Sequence, residues 1–180
     1  MLSQFTDSTG GKRTLGELYP FPKDVYPVGR LDEDSEGLLI LTNDPAANQQ
    51  LLNQGIEKEY YVQVEGVPDE TALSQLRSGV EIRVKKKVHQ TLPAKAYKLL
   101  DIPLLPDRNP PIRVRKLIPD TWISLTLREG KNRQVRRMTA KVGYPTLRLV
   151  RVRLGNLRLP DIQPGEVVDC TDNWSWPSRK

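Results

Sequence analysis

The stretch Gly29-Arg30-Leu31-Asp32-Glu33-Asp34-Ser35-Glu36-Gly37-Leu38-Leu39-Ile40-Leu41-Thr42-Asn43-Asp44 decides how this chain is read. It sets a run of carboxylates in a tight loop directly before an apolar segment, Leu38 to Leu41, that reads as a buried strand. An Arg stands two residues ahead of the first Asp. A loop held by a rigid strand is where catalytic groups tend to sit. Asp, Ser, Glu and Gly are also ordinary turn formers, so composition alone allows a structural role. A calcium loop is the second reading, because Asp32-x-Asp34-x-Glu36-Gly37 opens like an EF-hand. It fails at the twelfth position, Asn43, and no helix leads in. A glycosidase pair, the third reading, lacks a second well-placed carboxylate. What remains is a single Asp beside a conspicuous Arg.

Outward from the loop, Val25 to Arg30 reads as a strand entering it. On the far side Asn43 or Asp44 caps a helix with Pro45 in its first turn, running to about Asn53. A further helical turn is expected near Thr14 to Leu18. Glu59 to Glu65 alternates Tyr60, Val62, Val64 against Tyr61, Gln63, Glu65, the pattern of a strand. Asp69 caps a second helix with Ala72, Leu73 and Leu76 on one face and Gly79 at its end. Val80 to Val84 reads as a strand, followed by the basic patch Lys85-Lys86-Lys87. Prolines at 103, 106, 110, 111 and 119, with Pro93 upstream, mark 101–120 as an irregular excursion. Thr121 to Leu127 alternates as a strand. A helix capped by Asn132 ends at Gly143. Leu147 to Leu154 sets Leu147, Leu149, Arg151, Arg153 against Arg148, Val150, Val152, Leu154. Helices and strands mixed without βαβ regularity predict an α+β fold around a mainly antiparallel sheet flanked by helices. The expected organisation is one domain over 1–168 and a loosely held tail over 169–180.

Composition excludes several classes. No apolar run is long enough to span a membrane, and no secretion leader opens the chain. The lone Cys170 and lone His89 give neither a disulfide nor a zinc spacing, so no metal is expected. A reducing compartment, the cytoplasm, follows from that cysteine usage. The net charge of +6 is uneven: Arg128 to Arg153 holds nine basic residues against Glu129, which is +8, and the rest of the chain sums to −2. That concentration suggests a polyanion footprint. On a helical wheel Arg133, Arg136, Arg137 and Lys141 fall opposite Val135, Met138, Thr139 and Val142, so the helix docks by one face and fans cations on the other. An Arg at the edge of that fan could instead turn toward Asp32, holding it ionised and in one rotamer.

Three motifs stand in one order: Gly29-Arg30-Leu31-Asp32 with its extension to Leu39, Lys58-Glu59-Tyr60-Tyr61-Val62, and Glu129-Gly130-Lys131-Asn132-Arg133-Gln134-Val135-Arg136-Arg137-Met138. With Pro145-Thr146-Leu147-Arg148-Leu149 they cover about Val28 to Leu154. In this the chain resembles the pseudouridine synthases of the ribosomal small- and large-subunit type. The segment Asn109-Pro110-Pro111-Ile112-Arg113, with Ile118-Pro119, is similar to the type that acts on 23S ribosomal RNA. The resemblance implies the pseudouridine synthase catalytic domain and isomerisation of a uridine in ribosomal RNA, 23S or a pre-ribosomal particle. No metal or organic cofactor is needed. It implies Asp32 as the catalytic group, either nucleophile on ribose or uracil or base for elimination, with Tyr60 stacking on the uracil and Arg136 paired to Asp32. Arg30, Lys58, Lys131, Arg133 and Arg137 would contact RNA. Relatives usually begin with a strand carrying Asn-Lys-Pro, whereas this chain starts at Met1-Leu2-Ser3-Gln4-Phe5-Thr6. Only 28 residues precede Gly29, short for the S4-type RNA-binding domain of many relatives, so RNA affinity is expected from the catalytic domain, acting as a monomer. The competing expectation is a non-catalytic RNA-binding or ribosome-assembly module on the same fold.

Overall fold

The computed structural model describes residues 1–53, 55–112 and 117–171. Arg113 of the proline-rich segment and most of the expected tail lie outside them. The elements in chain order are β1 (Tyr26–Pro27), β2 (Glu36–Gly37), β3 (Leu41–Thr42), α1 (Pro45–Leu52), β4 (Lys58–Glu65), α2 (Glu70–Ser78), β5 (Glu81–Val84) and β6 (Lys87–Gln90). β7 (Lys95–Lys98), β8 (Asp120–Leu127), α3 (Gln134–Lys141), β9 (Thr146–Leu154) and β10 (Leu157–Arg158) complete the set, and a 3-10 turn sits at Leu15–Glu17. The main sheet runs β10-β9-β4-β8-β7 with antiparallel neighbours, and β2 joins β9 in parallel. The α+β expectation holds.

One face of the sheet buries Val62, Val64, Ala96, Ile123, Leu125, Leu127 and Leu149 beneath Leu73 and Leu76 of α2 and Val135 and Met138 of α3. This is the period-two pattern of the strands meeting the apolar stripes of two amphipathic helices. α2 is capped as expected, the Asp69 carboxylate accepting from Ala72 N at 2.8 Å. Strand β8 differs from its simple alternation, being buried on both faces from Trp122 to Leu127. Ser124 on the second face donates to the Glu59 carboxylate at 3.0 Å, so a polar position is closed by a hydrogen bond rather than by water.

A second apolar cluster joins Val28, Leu38, Leu51 and Leu154. Val28 precedes the acidic loop and Leu38 follows it, so both limbs are pinned against α1 and the end of β9. Each such side chain contributes roughly 2 kcal/mol on leaving water. Asp44, rather than Asn43, caps α1 by accepting from Ala46 N at 2.8 Å.

Five readings need correction. Leu38 to Leu41 is not one strand: Glu36–Gly37 pairs with β9, and Leu41–Thr42 turns back to pair with β1. Gly37 makes the turn possible, with φ +98° and its Cβ position 2.3 Å from Arg151 O, where no side chain fits. The strand expected over Val25 to Arg30 is accordingly only Tyr26–Pro27. Lys85 and Lys86 are not simply a basic patch; at φ 48° and 66° they turn the β5–β6 hairpin. Asn132 does not cap α3, because Arg133 takes that place in the left-handed region at φ 51°. Arg151 and Arg153, finally, do not share a face. An irregularity in the β4–β9 ladder sets Arg151 opposite Tyr60 and Arg153 opposite Glu59.

Candidate active site

The acidic loop is closed by side chains distant in sequence. Ser3 Oγ donates to Leu31 O at 3.0 Å and accepts from Leu31 N at 3.1 Å, clipping the chain directly before Asp32. Ser35 N donates to Asp32 O at 2.9 Å, which tightens the turn. Beyond it Leu38 N donates to Arg151 O at 2.8 Å.

Most of the loop's carboxylates are held by cations. Glu36 takes the Arg148 fork, Nε to Oε1 at 3.0 Å and Nη2 to Oε2 at 2.8 Å, with Arg108 Nε at 3.2 Å. Asp34 takes the Arg133 fork at 2.8 and 2.9 Å. Those hydrogen bonds hold the Asp34 carboxyl below its ordinary range, against the opposing effect of burial. Glu33 pairs with Lys12. Asp32 is the exception. Among the described residues no donor hydrogen-bonds its carboxylate, and its nearest cation, Arg133 Nη1, stands 3.8 Å away with its hydrogen bond already given to Asp34.

Arg136 turns inward, as the wheel-edge argument expects, but not to Asp32. Its Nη2 donates to Asp34 O at 2.8 Å and lies 3.3 Å from the Asp34 carboxylate. The expected Asp32–Arg136 pair is therefore replaced by an Asp34–Arg136 contact two residues along. The side chain reaches the loop from below, where the Asp34 carbonyl offers the nearer acceptor. Only the longer-range charge of Asp32 is felt by Arg136.

Tyr60 stands on β4, opposite Arg151 of β9, and the Asp32 charge acts on its hydroxyl at longer range. Burial raises the Tyr60 pKa; the guanidinium charge of Arg151, the residue opposite it on β9, opposes that rise. Arg151 is 4% exposed and sends its Nε to Leu38 O at 2.8 Å. Sequence reading counted Arg151 with the phosphate footprint and so missed this placement. The signal available was its position inside the apolar run Leu149-Val150-Arg151-Val152, where a solvated Arg has no place. Lys58 also lies low in the site, donating to Ile56 O at 3.2 Å; burial first, then the Arg151 charge, draws its pKa down.

The basic segment behaves differently from its reading as one fan. Arg128 pairs with Glu57, Arg137 donates to Arg83 O and Asn132 O, and Arg153 bridges Glu57 and Glu59. With Arg133, Arg136, Arg148 and Arg151, every Arg of the segment therefore meets an internal acceptor. Neither Lys131 nor Lys141 has a side-chain partner among the described residues. Arg30 is exposed beside the loop, and so are Arg83, Lys85, Lys86 and Lys87 on the hairpin that packs against α3. Of the expected RNA contacts, Arg30 and Lys131 are free, whereas Lys58, Arg133 and Arg137 are engaged within the protein. Glu129 anchors its motif by accepting from Leu92 N at 2.8 Å and Gln134 Nε2 at 2.6 Å, with His89 Nε2 at 2.9 Å. His89 is thereby committed to Glu129, and Cys170 is exposed elsewhere.

Two hollows among the described residues are lined by neither Asp32 nor Tyr60. One, of about 580 Å³, flanks the loop between Glu36, Arg108 and Arg133, and the other, of about 530 Å³, lies between α2 and Lys141. Among the described residues no group of His, Cys, Asp and Glu has metal-ligand geometry, and no helix is long and apolar enough to cross a membrane.

The structure thus sets an acidic loop on a helix-flanked sheet whose strand β4 carries a partly buried Tyr60 opposite the buried Arg151. The RNA pseudouridylate synthase family profile matches residues 3–141, and the chain belongs to that family. It is 52% identical over 167 residues to the ribosomal large subunit pseudouridine synthase E of Vibrio parahaemolyticus, covering 92% of this chain and 67% of that protein. The synthase E of Xanthomonas axonopodis pv. citri is 51% identical over 183 residues, covering 99% and 93%. The ribosomal large subunit pseudouridine synthase B of Bacillus subtilis is 34% identical over 173 residues, covering 95% and 64%. A solved pseudouridylate synthase superposes with a TM-score of 0.68 at 27% identity, over 85% of this chain and 60% of that one.

Proposed function

We propose that the chain converts one uridine of large-subunit ribosomal RNA to pseudouridine, with Asp32 as the catalytic carboxylate. It acts as a monomer in the cytoplasm through a single catalytic domain over 1–168. The observation that carries the reading is the Asp32 carboxylate, which no described donor hydrogen-bonds, in a loop whose other acids are held by close cations. A carboxylate with open lone pairs is a usable nucleophile or base.

The reaction breaks the N1–C1′ bond of uridine, turns the base and joins C5 to C1′. The proton lost from C5 balances the one gained at N1, so no cofactor enters. The uridine leaves its stack to reach Asp32, at a cost of a few kcal/mol, which stacking on Tyr60 and phosphate contacts offset. Phosphate contacts fall to the free cations: Arg30 beside the loop, Lys131 and Lys141 flanking α3, and the hairpin residues Arg83, Lys85, Lys86 and Lys87. Arg136 acts on the site by holding Asp34, and through it the loop. The relatives named for the large subunit support the choice of RNA.

A non-catalytic RNA-binding module is disfavoured, because a carboxylate left without a hydrogen bond repels phosphate and serves binding poorly. The test is quantitative pseudouridine mapping of 23S RNA from cells with and without the gene. Loss of a single position, restored by wild type but not by Asp32→Asn, is expected. An unchanged map would overturn the reading.

A further inference from the structure

We propose that Glu129 is a positioning residue for RNA. Its carboxylate ties the β5–β6 hairpin to the turn before α3, so that Lys87 and Lys131 meet the phosphate backbone as one face beside the Asp32 loop. The proposal deepens the isomerase reading above and rests on it for the identity of the RNA.

The Glu129 side chain is 9% exposed, and among the described residues the only basic group within ion-pair reach is His89. A carboxylate so buried is held by directed hydrogen bonds. Its Oε1 accepts from Leu92 N at 2.8 Å and from Gln134 Nε2 at 2.6 Å, and its Oε2 meets His89 Nε2 at 2.9 Å. His89 on β6 and Leu92 just after it belong to the hairpin and its exit. Gln134 opens α3, is 4% exposed, and accepts from Lys131 N at 2.9 Å through its Oε1. One hydrogen-bonded chain thus runs from the hairpin through Glu129 and Gln134 to the backbone of Lys131.

The hairpin register selects the cation that this chain orients. Ile82 stands opposite His89 and Val84 opposite Lys87, so His89 and Lys87 leave β6 on one face, the face that buries Ile82. Lys87 therefore projects on the side where His89 meets Glu129. Its side chain, like that of Lys131, is exposed and has no partner among the described residues. A second tie sets this face beside the catalytic loop. Arg137 Nη1 donates to Arg83 O of the hairpin at 2.6 Å. Arg133, one turn earlier on the same side of α3, holds Asp34 at 2.8 and 2.9 Å. The hairpin and the acidic loop flank the same stretch of α3, and RNA that delivers a uridine to Asp32 passes Lys131 and then Lys87.

The test uses Glu129→Ala, Glu129→Gln and His89→Ala, each with and without Lys87→Ala. Kinetics on transcribed 23S RNA, the slope of log affinity against log salt, and thermal melts are measured for all. For Glu129→Ala, KM rises about fivefold, the counterion release of one phosphate contact at physiological salt, while kcat stays within about twofold. Glu129→Gln keeps an oxygen for Leu92 N and Gln134 and an amide for His89, and restores KM to within about twofold of wild type. Lys87→Ala lowers the salt slope by about one in wild type, and by less than about half as much beside Glu129→Ala, because an untied hairpin no longer holds Lys87 on the RNA. His89→Ala removes only the hairpin's ion pair, from a side chain 29% exposed, and gives the same loss of coupling to Lys87 in a protein that melts like wild type.

A lower melting temperature with unchanged KM, or a fall in kcat at constant KM, would overturn the proposal. So would a Lys87→Ala slope change that is absent in wild type or equal in every background, which would leave Glu129 a structural anchor only. Wild-type protein that forms no pseudouridine in 23S RNA would overturn the substrate reading instead, and the salt slopes on that RNA would still decide whether Glu129 sets Lys87.

Discussion

Two clusters of acids and arginines on this sheet are built to different ends. At the start of β4, Glu57 meets Lys95, Arg128 and Arg153, and Glu59 meets Arg153 and Ser124. Both of those carboxylates are satisfied. In the loop after Gly29 the same chemistry satisfies Glu33, Asp34 and Glu36 but leaves Asp32. Where pairing is complete the charges hold structure, and where one is left over it is available for chemistry. Charge density alone does not separate the two, and the residue without a hydrogen bond does.

Breaking the structural cluster should cost the most stability. Arg153→Met leaves buried Glu59 and half-buried Glu57 short of a cation, and a destabilisation of about 3 kcal/mol is expected in chemical denaturation. The folded fraction should still modify RNA. A midpoint equal to wild type would mean that the pairs contribute nothing net.

The loop cluster is more exposed and should respond less. Arg133→Ala frees an Asp34 side chain that is 42% exposed, so a stability change below about 1 kcal/mol is expected. The pair also separates RNA contacts from internal ones. Lys131→Ala should lower the slope of log affinity against log salt by about one, and Arg133→Ala should lower it less, because its fork already holds Asp34. Equal slopes for the two variants would show that the Arg133 fork opens to phosphate.

The smallest effect concerns acid. Lys95, Arg153 and Arg128 hold the Glu57 pKa down to about 2. A group depressed on folding contributes stability that is fully present above its unfolded pKa, about 4.3, and is lost as pH falls through its folded value. Wild type should therefore lose stability progressively from about pH 4.5 toward pH 2. Glu57→Gln should flatten that part of the profile, and coincident profiles would contradict the pairing.

Local signals made much of this legible in sequence. The acidic loop, the Tyr60 strand and the Glu129 to Met138 segment each announce themselves within a few residues, and the Asp69 and Gly79 helix boundaries rest on neighbours alone. What escaped depends on distance or on backbone exceptions. The β5–β6 hairpin turns through Lys85 and Lys86 in left-handed conformations, where sequence rules expect Asn or Gly. The separation of Arg151 from Arg153 depends on a ladder irregularity that strict alternation cannot anticipate. The Ser3 clip on Leu31 spans 28 residues and leaves no local trace. Arg136 was placed inward by its wheel position, yet which Asp it meets is decided by loop geometry, and that is Asp34.

The central claim is the difference between two aspartates two residues apart. Its most direct test measures pseudouridine formed in 23S RNA by Asp32→Asn and Asp34→Asn side by side, with thermal melts of both proteins. Asp32→Asn should melt like wild type and form no product, at least a 10³-fold loss as an order of magnitude for a reacting group. Asp34→Asn should melt earlier and retain measurable turnover. Turnover by Asp32→Asn within a few fold of wild type, or equal loss in the two variants, would contradict the account.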